Sequence, residues 1–463
     1  METILTNVVA FVNDILWNKY LLLLFLLLGS GVFFTIRTNF VQVRKFGEGM
    51  RLVFGNISLK GKAAGKDGMS SFQALATAIA AQVGTGNIAG CASALVSGGP
   101  GAVFWMWVSA FFGMATIYGE AVLAQKYKTV GEDGAVSGGP IYYIKAAFKG
   151  KLGTFMAGFF AVAIILALGF MGNMVQSNSI GDAFFTAFGV PKLAMGIAVA
   201  AVSAFIFLGG VKRIAAITEK LVPIMAIFYI CGSLIAIGMN AENILPALKS
   251  VFVGAFTPEA VMGGAIGISI KEAVRFGVAR GLFSNEAGMG STPHAHAMAK
   301  VAKPQDQGAV AMVGVFIDTF IVLTMTALVI LTSGMLGTTG ADGEMLTATA
   351  LAQAAFNNAF GTFGNAFVAV CLLFFAFSTI IGWYFFGEAN VKALFGGSKK
   401  ATAIYGIIAL VFIVVGSFQK VGLVWDMSDM FNGLMVIPNL LACLALSSIV
   451  AKFAKDDNYL GDI

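Results

Sequence analysis

The stretch AAQVGTGNIAG, residues 80–90, sits inside an apolar run that otherwise reads as a membrane helix. A helix in lipid must satisfy its own backbone hydrogen bonds. Here Gly84, Thr85, Gly86 and Asn87 stand in a row. The glycines weaken a helix, and the two short polar side chains compete for its backbone bonds. A dinucleotide fingerprint is excluded, because the spacing from Gly84-x-Gly86 to Gly90 is wrong and no strand precedes it. Gly86-x-x-x-Gly90, with Ala89, Ala92 and Ala94 around it, suits close helix packing. That reading covers Gly90 but not the four residues that begin at Gly84. A break covers them. An unwound segment near the bilayer midplane exposes N–H groups on one side and C=O groups on the other, and lipid permits this only where a ligand or a water-filled cavity receives them.

The rest of the chain supplies the solvent. Of its 463 residues, 58% are hydrophobic and only 11% charged, with 42 Phe and 57 Gly, which is outside the range of water-soluble domains. Apolar runs recur from end to end, and no gap between them could hold a soluble domain, so 1–463 is expected to form one all-α membrane domain. Ile4, Leu5, Val8, Val9, Val12, Ile15 and Leu16 recur at helical spacing, which suits an interfacial helix. The run YLLLLFLLLGSGVFFTI (20–36) is followed by Arg37, Arg44, Lys45 and Arg51, and no small-residue cleavage site closes it. It reads as a retained first span, not a signal peptide. Ten more spans are predicted, at 70–94, 100–127, 153–187, 191–210, 216–239, 263–299, 307–334, 364–388, 402–418 and 428–451, giving eleven helices.

Charge orients them. With the N-terminus outside, 22 of the 29 Lys and Arg fall in the predicted inner segments 37–66, 126–151, 212–220, 300–303, 392–400 and 452–455. Only Lys19, Lys192, Lys249 and Lys420 fall in outer loops, and Lys271, Arg275 and Arg280 lie within a span. By the positive-inside rule this predicts a multi-pass protein of the cell's inner (plasma) membrane with a cytoplasmic C-terminus. The net charge of +6 is therefore an orientation signal and does not point to nucleic acid. Cys91, Cys231, Cys371 and Cys443 are isolated in apolar segments and read as packing residues.

Transporters built from inverted repeats should carry a second break at the matching place in the other half. The string GLFSNEAGMGSTPHAHA (281–297) meets that expectation, Gly-rich and polar where a continuous helix should run. Each break falls in the first helix of a five-helix half. This predicts a five-plus-five inverted repeat preceded by one extra helix: 1–66 for the interfacial helix, extra helix and linker, 67–240 for the first repeat and 241–455 for the second.

The strings GTGNIAG (84–90), GGPGAVFWMW (98–107) and RGLFSNEAGMGSTPHAHA (280–297) resemble the signatures of the sodium:alanine symporter family, also called alanine or glycine:cation symporters. The resemblance covers nearly the whole chain. It implies a LeuT-type fold and Na⁺-coupled symport of alanine or glycine. A zwitterionic substrate presents a carboxylate that suits the N–H groups around Thr85, Gly86 and Asn87. Its ammonium suits the carbonyls of Phe283 and Ser284 and the side chains of Ser284 and Asn285, within a second break that runs to Gly288. Similarity to the family adds Gln176 and Ile180, one helical turn apart. Phe283, Ile180 and Trp383 are bulky enough to close around a methyl group, while Trp383 alternatively reads as an aromatic-belt residue. For Na⁺, a hard cation that takes oxygen ligands, the pair Ser378-Thr379 resembles the adjacent hydroxyls of LeuT-type transporters, with the carbonyls of Ala81 and Gly84 completing the shell.

Charged residues inside spans are functional candidates by default. Glu286 either receives a cation or holds the unwound loop. Asp318 needs a partner, for which Arg280 is the nearest candidate. Glu120 is expected to pair with Lys126 or another base, and Glu272 with Arg275. His294 and His296 are proton-coupling candidates or packing residues. A channel is disfavoured because the polar residues cluster at two breaks, and an intramembrane enzyme because neither H-E-x-x-H nor G-x-S-x-G occurs. A proton-coupled symporter and a non-transporting amino acid sensor of the same fold remain as alternatives. The sequence leaves the oligomeric state open.

Overall fold

The computed structural model describes residues 2–55, 68–131, 136–257, 269–340, 343–419 and 421–460. The 56–67 linker, with Lys60, Lys62 and Lys66 of the expected inner cluster, lies outside these residues, as do the opening of the expected 263–299 span and Lys420.

Among the described residues, eight helices are long and apolar enough to cross a membrane. A ninth span appears if the pair Ser71–Gln82 and Gly86–Gly98, bent by 47° at its junction, is taken as one. The expected spans at 191–210 and 263–299 appear as shorter pieces. One is the 16-residue helix Lys192–Phe207; the other is the 16-residue helix Ile270–Asn285, interrupted before Pro293–Met298. An unbroken crossing needs ~20 residues. Among the described residues the architecture is all-α apart from the small hairpin Thr129–Val130 with Val136–Ser137 and the isolated bridges of Met69 with Ala299 and of Thr339 with Met345.

Local chemistry sets where the broken helices begin. Ser70 caps Ser71–Gln82 by accepting from Gln73 N–H at 3.0 Å, while the Gln73 side chain accepts from Ser70 N–H. Ser269 and Glu272 form the same reciprocal box on Ile270–Asn285. Glu272 is thus a cap and not the partner of Arg275, whose guanidinium lies 4.2 Å from the Phe276 ring. The two broken segments are tied at one end of the molecule, where Met69 N–H donates to Met298 O and Lys300 N–H to Met69 O, each at 3.0 Å.

The GAVFWMW segment opens the helix Gly101–Lys126, which packs on Ile270–Asn285 at close range. A Cβ on Gly277 would fall 2.6 Å from Ala102 O. The helix Phe363–Leu394 comes as near to the first broken helix, where a Cβ on Gly382 would fall 2.9 Å from Ala81 Cβ. Two further helices widen into π-helical turns, Ile165–Gly172 just before Gln176 and Phe316–Leu323 around Asp318. Such turns re-aim side chains and are frequent at functional sites.

The N-terminal helix Glu2–Asn13 docks through its end. Asn13 Nδ2 donates to Asp426 O and Trp17 Nε1 to Asp429 O, both on the helix Val421–Ala445.

Candidate functional site

The first break is a turn with its polar groups pointed at three neighbouring helices. Ser71–Gln82 stops where Val83 turns to φ −82°, ψ 92°, and a π-helical turn Gly86–Gly90 restarts the chain. Gly84 N–H donates to Asn87 Oδ1 at 2.9 Å, and Thr85 N–H donates to Gln176 Oε1 at 2.9 Å. Gln176 Nε2 and Thr85 Oγ1 are buried with no hydrogen-bond partner among the described residues. Gly86 lies against the second break, with its would-be Cβ 3.1 Å from the Phe283 ring and 3.3 Å from Ser284 Cα.

The hydroxyl pair faces this turn. Ser378 Oγ lies 3.2 Å from Ala80 O and 2.8 Å from Phe375 O. Thr379 Oγ1 lies 3.0 Å from Ala80 O, 3.4 Å from Val83 O and 3.0 Å from Phe375 O. Five oxygens therefore converge at the end of the first half-helix. The carbonyls are those of Ala80 and Val83, each one residue before the expected Ala81 and Gly84. Gly84 still matters to the site, because a Cβ there would fall 2.3 Å from Thr379 Oγ1.

The second break is a loop with left-handed backbone at Glu286, Gly288 and Gly290, at φ 58°, 93° and 79°. Its N–H groups turn inward to Glu120. That carboxylate accepts from Gly288 N–H and Gly290 N–H, each at 2.9 Å, and from Asn439 Nδ2 at 2.6 Å. Asn439 also donates to Gly288 O at 2.9 Å and accepts from Tyr143 OH at 2.5 Å. Both backbone groups of Gly288 are thus used by the protein itself. Glu286 accepts from Trp383 Nε1 at 2.5 Å and from Ser291 Oγ. Trp383 is buried at 1% exposure, which excludes the aromatic-belt reading.

Asp318 joins the two breaks. Asn87 Nδ2 donates to its Oδ1 at 2.6 Å, Ser284 Oγ to Oδ1 and Oδ2 at 2.9 and 3.0 Å, and Thr319 Oγ1 to Oδ2 at 2.8 Å. Asn285 Nδ2 donates to Thr319 Oγ1 at 3.1 Å, and Gln82 Nε2 donates to Asn285 O at 2.7 Å. Arg280, the expected partner of Asp318, is committed elsewhere. It forms a two-point ion pair with Asp429, at 2.8 and 2.9 Å, and lies 4.7 Å from the Trp425 ring.

Thr85, Gly86, Gln176, Phe283, Ser284 and Trp383 are buried around the junction of the breaks, and Ile180 is buried one helical turn beyond Gln176. Phe283 meets Trp383 edge-on at 5.6 Å and Trp425 at 4.9 Å. Trp425 lines a cavity of ≈ 400 Å³ that also meets Ala89, Ser93, Asn178 and Gln353. A cavity of ≈ 360 Å³ is lined by His294, Phe385, Glu388 and Lys392. Asn87, Asn285 and Gly288 are occupied in holding the breaks together. His294 bonds Ser291 O and Asn390, and His296 bonds Gln307. Sequence reasoning missed Asn439, Tyr143, Asp429 and Trp425. A polar Asn439 within an apolar span was the available signal.

The sequence profile of the sodium:alanine symporter family matches residues 1–460. The chain belongs to that family. Sodium/alanine symporter AgcS of Methanococcus maripaludis is 42% identical over 453 residues, covering 98% of this chain and 97% of its own. A probable sodium/glutamine symporter, GlnT of Bacillus subtilis, is 42% identical over 456 residues, covering 98% and 91%. The fold is shared with MhsT, solved in complex with L-phenylalanine, at TM-score 0.58 and 14% identity over 84% of this chain and 99% of that one. As a family member this is a multi-pass membrane transporter of the LeuT type and not an enzyme, and its relatives place it among amino acid symporters.

Proposed function

We propose that the protein couples entry of a small neutral amino acid, alanine or glycine, to Na⁺ by alternating access between two five-helix halves, 67–240 and 241–455. The observation that carries this reading is the convergence of Ala80 O, Val83 O, Phe375 O, Ser378 Oγ and Thr379 Oγ1 at the end of a broken helix. Carbonyl and hydroxyl oxygens are the ligands a hard monovalent cation selects. The N–H end of the turn at Thr85 and Gly86, with the unpartnered Gln176 Nε2, faces the substrate carboxylate. The half-helix end at Phe283 and Ser284 faces the ammonium, and Ile180, Phe283 and Trp383 limit the side chain. The excess of Lys and Arg at one set of helix ends supports a plasma-membrane protein with its N-terminus outside and C-terminus inside.

One Na⁺ is a sufficient driver. Across ~100 mV it gains ~2.3 kcal/mol, and a tenfold concentration ratio adds ~1.4 kcal/mol, enough for accumulation of a neutral amino acid on the order of 500-fold. The test is labelled alanine uptake by purified protein in liposomes. Uptake is expected with external Na⁺ and not with K⁺, and Ser378→Ala with Thr379→Val should raise the Na⁺ concentration for half-maximal uptake. Equal uptake in K⁺ that follows a pH gradient would transfer the role to protons. Alanine binding without uptake under any gradient would make the protein a sensor.

A further inference from the structure

Trp383 reaches from the helix Phe363–Leu394 to the second break. Two of its contacts confine the indole without giving it a direction. Gly172 leaves room for the six-membered ring, where a Cβ would fall 2.4 Å from Cζ3 and 2.6 Å from Cε3, and Phe283 meets the indole edge-on at 5.6 Å. The directional contact is at nitrogen. An indole has one donor, Nε1–H, and at 1% exposure it needs an acceptor within the protein. Glu286 Oε1 is that acceptor, at 2.5 Å, while Glu286 Oε2 accepts from Ser291 Oγ.

The backbone at Glu286 is shaped for this reach. Glu286 is fully buried and ends the half-helix Ile270–Asn285 at φ 58°, a left-handed position that glycine ordinarily takes. A residue with a Cβ is disfavoured there. The loop does use glycine at its two other left-handed positions, Gly288 and Gly290, so the glutamate is the exception and its side chain does what glycine cannot. Glu286 and Ser291 also bracket the glycine loop that Glu120 holds. The indole is thereby referenced to the cradled break as well as to its own helix.

We propose that Glu286 is a positioning residue that sets the size limit of the substrate by fixing how the Trp383 indole is turned. It rests on the reading of Trp383 as a wall of the substrate pocket. With the bond made, the indole stands edge-on to Phe283 and closes the space beyond a methyl group. Without it, a buried N–H has no partner and the ring turns toward one, which opens room for a branched side chain. The bond needs an acceptor and not a charge. A glutamine meets that need, because its Oε1 accepts from the indole while its NH₂ donates to Ser291 Oγ, whose hydroxyl can turn to accept. A role for Glu286 as a cation receiver would not survive that exchange.

Competition against labelled alanine in proteoliposomes tests this, read as the ratio of the half-inhibitory concentrations of valine and alanine. Glu286→Ala should lower that ratio about tenfold or more, since each methylene that finds room is worth at least that much. Glu286→Gln should restore it to within about threefold of the wild type, less than the worth of one methylene. Ser291→Ala, which removes only the bond to the loop, should leave it there too. In a Trp383→Phe background, which lacks the donor, Glu286→Ala should change the ratio by less than about twofold. Relaxed selectivity in Glu286→Gln, or in Ser291→Ala alone, overturns the proposal, as do effects of Glu286→Ala and Trp383→Phe that simply multiply. If Glu286→Ala does not fold, the indole itself reports. The chain has five Trp, and in a spectrum of ¹⁵N-Trp protein the Trp383 signal, identified by its loss in Trp383→Phe, should resist exchange with water in the wild type and in Glu286→Gln. Rapid exchange in the wild type overturns the bond. A ratio unmoved by Trp383→Phe removes Trp383 from the pocket and fails the underlying reading instead, so the two failures are distinct.

Discussion

The hold of Glu120 on the second break can be tested by Glu120→Gln, which keeps shape and removes charge. Three donors converge on the carboxylate: Gly288 N–H, Gly290 N–H and Asn439 Nδ2. An amide has one oxygen and one NH₂, so whichever way it turns, at least one buried donor faces another donor. The less costly rotamer sets NH₂ toward Gly288 and keeps the two bonds at the other oxygen, now without charge assistance. An unsatisfied buried donor costs about 1–3 kcal/mol, and loss of charge roughly 0.5–1 kcal/mol on each of the two remaining bonds, so the variant should lose about 2–5 kcal/mol. Hydrogen exchange is the matching assay, because Gly288 and Gly290 N–H are the reporters. Exchange over 286–291 should accelerate in Glu120→Gln with little change in Ser71–Gln82, and the thermal midpoint in detergent should fall. A double-mutant cycle with Asn439→Ala should give a coupling of about 0.5–3 kcal/mol. Unchanged exchange at Gly288 and Gly290 would refute the cradle.

Three further outcomes follow from the geometry. Gly84→Ala places a Cβ 2.3 Å from Thr379 Oγ1 and 3.0 Å from Gln176 Oε1, so the Na⁺ concentration for half-maximal alanine uptake should rise; an unchanged value would remove Thr379 from the ion site. Ile180→Ala should raise uptake of valine relative to alanine, since each methylene of misfit is worth about 1–3 kcal/mol; an unchanged ratio would remove Ile180 from the pocket wall. The third concerns the chain end, where Lys45 binds Asp457 and Lys303 donates to Asp457 O at 2.8 Å. Bonding to Lys45 holds the Asp457 carboxyl below its usual range. A depressed carboxyl pKa stabilises above the unfolded value and is lost as pH falls through the folded one. Protection of the 456–460 amides relative to their intrinsic exchange rates should therefore hold at neutral pH and fall only below about pH 3.9. Loss of that protection already at pH 6 would assign the hold to another group.

Both breaks were legible because they violate the rule of their surroundings. Glycine pairs with Thr and Asn in an apolar run, or GLFSNEAGMG where a helix should continue, are costly unless something is received there. The Ser378-Thr379 pair was legible only by its place in the expected repeat and its resemblance to the family's hydroxyl pair. Which atoms meet was less accessible. The carbonyls at the hydroxyls shifted by one residue because Val83 is already extended, so the chain turns before Gly84 rather than at it. The sequence suggests Arg280 for Asp318 because each needs a partner, but the order of the spans does not say which helix faces meet. In the fold, Arg280 faces the helix Val421–Ala445 and Asp318 faces the breaks. Likewise Glu120 lies in a helix whose pattern is apolar all round, so nothing in it marks the side that meets the glycine loop.

The two breaks are held by chemically different means, and this assigns them different parts in the cycle. The second is fixed by Glu120, Asn439 and Tyr143, whose bonds are made among protein groups that no ion or substrate needs to replace. The first is held by hydroxyls of Ser378 and Thr379 on the carbonyls of Ala80 and Val83, and by Gln176 on Thr85 N–H. These are the groups an arriving Na⁺ and carboxylate would address. A neutral hydroxyl bond contributes a net ~0.5–1.5 kcal/mol, so on the proposed reading a cation would displace several weak contacts and gain stronger ones from the same oxygens. On the proposed reading, the ion and the substrate carboxylate would act on the break that is cheap to rearrange, while the cradled break would present a fixed half-helix end to the ammonium. Asp318, which accepts from Asn87 of the first break and Ser284 at the second, would then be the contact through which a change at one break reaches the other.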